Sequence, residues 1–163
     1  MNANLTDRVR NLNDEPLNLD GDYILYWMIA TRRLNYNASL EYASDMAKKY
    51  QKPLLVVEEI STSHRFANDR ITSFVIQGMV DNVSIFRDHK IRFIPWVETP
   101  LSGPMGLLKS LSERAVMIVT DEFPTYYPLI AINSASKSIK RKLCSVDSNG
   151  VFPMSWTDSA FTT

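Results

Sequence analysis

The sequence predicts an α/β domain: a five-stranded parallel sheet with helices on both faces, in the doubly wound, flavodoxin-like (Rossmann-like) order 3-2-1-4-5. Three observations carry that prediction. Tyr23-Ile24-Leu25-Tyr26-Trp27-Met28-Ile29-Ala30 has no charge and is rich in β-branched and aromatic residues, which reads as a strand buried on both faces. Similar short apolar runs return further along the chain, each separated from the next by a segment with helical spacing of its apolar positions. Each run also exits into a polar segment, the place where parallel sheets hold their ligands.

The elements follow in order. Residues 1 to 21 are polar with scattered apolar positions, and they predict at most a turn of helix and then a loop. After the first strand, a helix is expected from about Asn37 to Tyr50, with Leu40, Ala43, Ala47 and Tyr50 on one face. Pro53 opens the second strand, Leu54 to Val57, which Glu58 and Glu59 close. The segment Ser61 to Asp69 is a loop ending in the N-cap Asn68. Ile71, Val75, Met79, Val83 and Phe86 then mark a long helix, with Phe74 and Ile85 widening its apolar stripe. The third strand is expected at Ile91 to Val97, a loop at Pro100 to Pro104, and a short helix to Glu113. Ala115 to Thr120 is the fourth strand and Asp121-Glu122 its end. Phe123 to Pro128 leads into a helix reaching about Lys142, whose basic end suits the helix dipole. Leu143 to Asp147 is a short fifth strand, and the last ten residues predict no element.

Composition narrows the function classes. The 163 residues fit one domain, 1–163, and 45% apolar content is enough for a core. Lys plus Arg and Asp plus Glu are 18 each, so net charge gives no reason to expect nucleic acid or an anionic membrane as a partner. A single cysteine, Cys144, excludes an internal disulfide framework, and no apolar run approaches the roughly 18 residues of a membrane span. The expected compartment is the cytoplasm, or the nucleus in a eukaryote.

The loops after the strands carry the candidate chemistry. Thr31-Arg32-Arg33 stands where a dinucleotide site needs GxGxxG, and no GxxxxGK[ST] occurs, so neither a standard NAD site nor a P-loop is expected. His64 and His89 lack partners at ligand spacing, and no metal site is expected. Cys144 reads as a buried, inert thiol, and no GxSxG elbow is present. What remains is a crevice ringed by Arg32 and Arg33, Glu58 and Glu59, and Asp121, Glu122 and Phe123, with Trp27, Met28 and Phe123 as stacking surfaces for a flat ligand. The plain alternative is that these charges are solvated loop residues.

The chain also resembles the opening of class II DNA photolyases. The motifs that carry this are Arg8-Val9-Arg10-x-Leu12-Asn13, Gly21-x-Tyr23-Ile24-Leu25-Tyr26-Trp27-Met28 and Arg33-x-x-x-Asn37-Ala38-x-Leu40, then Asn68-x-Arg70-x-x-x-Phe74, Val119-Thr120-Asp121 and Val146-Asp147-x-Asn149-x-Val151-x-Pro153. The resemblance implies the N-terminal α/β domain of the photolyase–cryptochrome superfamily. That domain carries a light-harvesting antenna in some members, a reduced folate or an 8-hydroxydeazaflavin. FAD and the pyrimidine dimer belong to a longer helical domain that follows it in the family, so DNA would be met only through that domain. Residues up to Thr163 contain no such domain, and the chain reads as a fragment or a short relative.

On this resemblance, an antenna would be held by Trp27 and Met28 as platform, Arg32, Arg33 and Asn37 as polar anchors, Glu58 beside them, and Asp121, Glu122 and Phe123 on the opposite lip. Two departures fall there. Arg32 stands where the family commonly has glutamine, and Glu122-Phe123 where a phenylalanine and a serine usually follow the aspartate. The leading expectation is an antenna domain of a system that repairs cyclobutane pyrimidine dimers and does not catalyse repair alone. A second is a non-catalytic interaction module with no chromophore, whose exposed interface self-associates. A third, a small enzyme on a nucleotide-like substrate, has no nucleophile or base pair to support it.

Overall fold

The uncharged run forms β2, Tyr23–Met28, at the centre of the sheet in a computed structural model whose described residues are 3–62, 67–98 and 106–156. Around it the chain builds α1 (Ala3–Thr6), β1 (Val9–Asn11), α2 (Ala38–Tyr50), β3 (Leu54–Ser61), α3 (Asp69–Asp88) and β4 (Arg92–Glu98). Then come α4 (Gly106–Glu113), β5 (Ala115–Asp121), α5 (Tyr126–Ser138), β6 (Leu143–Val146) and a closing 3-10 turn, Met154–Trp156. The sheet order is β1-β6-β5-β2-β3-β4. Five strands are parallel in the expected 3-2-1-4-5 order, and the fold class stands.

The expected five strands are six. β1 pairs antiparallel with β6, Val9 opposite Val146, and so covers one sheet edge. With three residues it has no periodicity to read; only the pairing partner makes it a strand. The second strand also runs past its expected end. Glu58 and Glu59 lie inside β3, which pairs with β4 as far as Ser61 opposite Glu98. The last helix stops at Ser138 rather than near Lys142, and Lys140 to Lys142 lie in the link to β6. The loop expected at Pro100 to Pro104 lies outside the described residues, as does His64.

Alternation along β2 sends its side chains to two cores. Ile24, Tyr26 and Met28 pack under α2 and α3 with Leu40, Ala43, Met46 and Phe86, and Phe86 stacks on Phe93 of β4 at 4.6 Å. Leu25 and Trp27 pack under α4 and α5 with Leu108, Ile132, Ala135 and Leu143. Gly21 lets the chain enter β2 against β5: a Cβ there would lie 2.5 Å from the Val116 nitrogen. α2 starts as expected, with Asn37 accepting from the Leu40 amide, and α3 starts on Asn68 in the same way.

α3 departs from expectation in its burial. Of its apolar stripe only Met79 and Phe86 are buried, joined by the polar Asn82, whereas Ile71, Phe74, Val83 and Ile85 are exposed. The helix covers the outer strands β3 and β4, where one narrow line of contact is all the sheet offers.

Candidate functional site

The parallel strands end together, and the residues singled out by sequence meet at that end. Asp121 closes β5 beside β2 and is wholly buried. One carboxylate oxygen accepts from three successive backbone amides, Ile29 at 3.0 Å, Ala30 at 2.8 Å and Thr31 at 2.9 Å. The other accepts from the Tyr26 hydroxyl at 2.7 Å. Asn37 completes the arrangement: its amide donates to the Tyr26 oxygen at 3.0 Å and to the Thr31 and Arg33 carbonyls, while its oxygen caps α2. Burial and the adjacent Asp121 push the Tyr26 hydroxyl well above its usual range, which keeps it a proton donor.

Three consecutive amides at the exit of a central strand form an anion-binding nest, as in folds that hold a phosphate there. Here the chain's own carboxylate fills it. The floor of the crevice also lacks an open aromatic face, because Trp27 is 2% exposed and Met28 is fully buried. The floor at the β2–β5 junction is therefore built from groups already engaged within the chain.

One strand pair over, β3 and β4 bring three buried glutamates to the same end: Glu58, Glu59 and Glu98. Glu58 faces α3. It accepts from Arg32 at 3.0 Å and from Asn82 at 2.8 Å, so one carboxylate ties the β2–α2 loop to α3. Arg32 also donates to the Glu59 carbonyl. The Glu59 side chain faces the opposite core and accepts from the Trp27 indole at 2.9 Å. Desolvation first, then the nearby charge of Glu98, raises Glu59 to about 7, against the smaller opposing effects of Trp27 and Arg32. Glu59 thus exchanges its proton near neutrality. Tyr127, from the first turn of α5, lies in the same field, and burial raises its hydroxyl too.

Glu122 sits apart from the other carboxylates. It pairs with Arg10 of β1 at 2.6 Å and accepts from Ser145 of β6, while its carbonyl accepts from Asn149. Phe123 is half-buried beside it and Arg33 is exposed. So the structure brings Tyr26, Asn37 and Asp121 into one network and Arg32 with Glu58 into another. It places Glu122 at the β1 edge and leaves Arg33 on the surface. Tyr26, Asn82, Glu98 and Arg10 were not singled out as site residues. Asn82 had a signal, a polar residue three positions after Met79 on the buried line of α3. Glu98 had one as well, since it ends its strand as Asp121 ends β5.

Several motif residues that carry the photolyase resemblance fasten the fold. Arg8 donates to the carbonyls of Asp147, Gly150 and Val151. Asn13 donates to the Arg141 carbonyl and accepts from the Leu143 amide. Asp147 accepts from the Asn149 and Met154 amides. Cys144 is buried, with its thiol pushed up to about 12 by desolvation, which leaves it unreactive. Among the described residues no cluster of His, Cys, Asp and Glu could hold a metal ion, and no helix is long and apolar enough to cross a membrane.

Comparison with curated proteins gives a sequence match. The chain is 34% identical over 148 residues to the deoxyribodipyrimidine photo-lyase of Methanothermobacter thermautotrophicus strain Delta H, covering 91% of this chain and 32% of that protein. It therefore spans about a third of the length of the curated relative it matches, and it is photolyase-like over nearly its whole extent. No protein-family model matches. Among solved structures, a universal stress protein from Pseudomonas aeruginosa UCBPP-PA14 superposes with a TM-score of 0.54 at 12% identity, covering 85% of this chain and 51% of that one. Another, from Archaeoglobus fulgidus, gives a TM-score of 0.46 at 14% identity, covering 77% of this chain and 93% of that one. At such identities the Pseudomonas likeness speaks for the fold alone.

Proposed function

We propose that this chain is the α/β domain of a photolyase-type system for repairing cyclobutane pyrimidine dimers, and that it does not catalyse repair alone. The observation that carries the reading is the 34% identity to a photo-lyase over 91% of this chain. FAD and DNA contacts are assigned to a separate helical domain, in the same parent chain or a partner. An antenna, an 8-hydroxydeazaflavin or a reduced folate, would supply light absorption. With the crevice floor occupied by Asp121, the groups of this chain that could contact it are Arg33 on one lip, with Arg32 behind it, and Glu122 and Phe123 on the opposite lip towards the β1 edge. Trp27, Met28, Asn37 and Glu58 would support those lips from within the core.

The test is to incubate purified protein with each chromophore, remove the excess, and record absorbance at the ultraviolet–blue boundary. Retention of one chromophore, lost in Arg33→Ala, is the expected result. No retention of either sinks the antenna assignment.

A second reading has its own observation. The occupied nest at the β2–β5 junction and the exposed apolar residues of α3 both favour a non-catalytic interaction module built on the same fold.

A further inference from the structure

The chain as a whole is neutral, with 18 basic and 18 acidic residues, yet the two signs are not mixed along β3 and β4. Where these strands end, Glu58, Glu59 and Glu98 are buried. Where they begin, bases collect. Residues 48–52 close α2 and lead into β3, and residues 87–92 close α3 and open β4. Together they hold six of the 18 lysines and arginines and a single carboxylate, Asp88. Leu55 of β3 lies opposite Arg92 of β4, so the two stretches are neighbours. Beside them, at the edge strand of the sheet, is a shallow cavity of about 450 Å³ lined by Val83, Arg87, Lys90, Ile91, Arg92 and Phe93. No carboxylate lines it.

Part of this charge serves the fold. Lys48, Lys49 and Arg87 stand in the last turns of their helices, where cations offset the helix dipole. Lys48 also pairs with Asp45 at 3.7 Å, and Arg87 with Asp88 at 3.8 Å. Lys52, Lys90 and Arg92 lie beyond those turns, and among the described residues their side chains make no hydrogen bond or ion pair. The closing turn of α3 does not need the Lys90 side chain. The Lys90 amide already donates to the Arg87 carbonyl at 2.9 Å and the Ile91 amide to the Phe86 carbonyl at 3.0 Å. Lys90 also holds φ at 57°, in the left-handed region where glycine is the favoured residue. A strained backbone thus keeps a cation at the cavity with no return inside the molecule.

We propose that this basic edge binds the phosphate backbone of DNA without sequence preference, through Lys52, Lys90 and Arg92 with Arg87. It acts in addition to the DNA contacts assigned to the helical domain. The form of the surface selects the partner. A small free anion is held by a closed site with buried donors, whereas Arg87, Lys90 and Arg92 are exposed. An open row of cations binds by releasing the counterions condensed on a polymer of high charge density. A lipid surface is flat, and these cations line a concavity. Overall neutrality gives no reason to expect nucleic acid only because it averages over this segregation. That the polymer is DNA rests on the repair reading above.

Fluorescence anisotropy of a short, undamaged, labelled DNA duplex, titrated with the full chain at low salt, tests it. The expected result is reversible binding in the micromolar range, with log K falling against log salt at a slope of about −3. Lys90→Gly should weaken binding about threefold or more and take about one unit off that slope. Urea unfolding should find the same variant no less stable, because glycine relaxes the left-handed turn. Arg92→Glu reverses a charge and should weaken binding further, while Lys137→Glu, in the last turn of α5, should leave it unchanged. Chromophore retention does not involve these residues, so a chain that keeps a chromophore and ignores the duplex counts against the basic edge alone. No binding at low salt overturns the proposal. So does binding that Lys90→Gly and Arg92→Glu leave intact, an equal loss in Lys137→Glu, or capture by anionic vesicles in preference to the duplex.

Discussion

The β2–β5 and β3–β4 junctions lie side by side at one end of the sheet, and both bury carboxylates, yet they satisfy them in opposite ways. At β2–β5 a single carboxylate, Asp121, receives three backbone amides and a tyrosine hydroxyl. At β3–β4 three glutamates are buried with Arg32 as the neighbouring guanidinium, and Glu59 answers by holding its proton up to about 7. Fixed backbone dipoles hold a charge without another charged side chain; a carboxyl desolvated by burial, with a like charge nearby, keeps its proton instead. The first junction is a clasp. The second holds a buried carboxyl, Glu59, whose charge changes near neutral pH.

The sharpest way to break this contrast is Asp121→Ala. It leaves three amides and the Tyr26 hydroxyl without their acceptor in a buried loop. The expected loss is about 4 kcal/mol or more, read from urea unfolding. A loss below about 1 kcal/mol would mean that the amides find other partners and that the clasp is incidental.

A smaller effect belongs to Glu59. Its folded value of about 7 lies above the ordinary 4.5, so between those pH values the folded state keeps a proton that the unfolded state releases. Stability from this group is therefore full below about 4.5, falls as pH rises towards 7, and levels off above it. Glu59→Gln should flatten that slope and add on the order of 2 kcal/mol at pH 8 relative to the parent. Urea midpoints across pH read it directly, and an unchanged slope in the variant would assign the titration elsewhere.

Arg10→Ala should do least. Its partner Glu122 is partly exposed, Arg10 itself largely so, and exposed pairs are worth under about 1 kcal/mol. A larger loss would mean that the antiparallel β1 edge depends on that pair.

Much of the fold was legible because it follows from patterns a short window contains. The uncharged run from Tyr23, the caps Asn37 and Asn68, and the alternation of strands and helices all act over a few residues. β1 was not legible, because three half-exposed residues become a strand only when β6 lies beside them. The candidate site was legible as a set of places rather than as roles. Arg32, Glu58 and Asp121 do gather at the strand ends, but sequence cannot say that the Asp121 carboxylate turns inward onto the loop amides.

By itself, then, the sequence determined the α/β class, the order of the five parallel strands and the end of the sheet where charge collects, since these rest on periodicity and connection rules. Tertiary structure alone decided which of those charges are used up inside the molecule. It also decided that α3, read as a core helix from Ile71 to Phe86, shows half of its apolar stripe to the outside. The physical reason is the same in both cases. A residue's spacing states which face of its element it occupies, and only the neighbouring elements settle whether that face is covered.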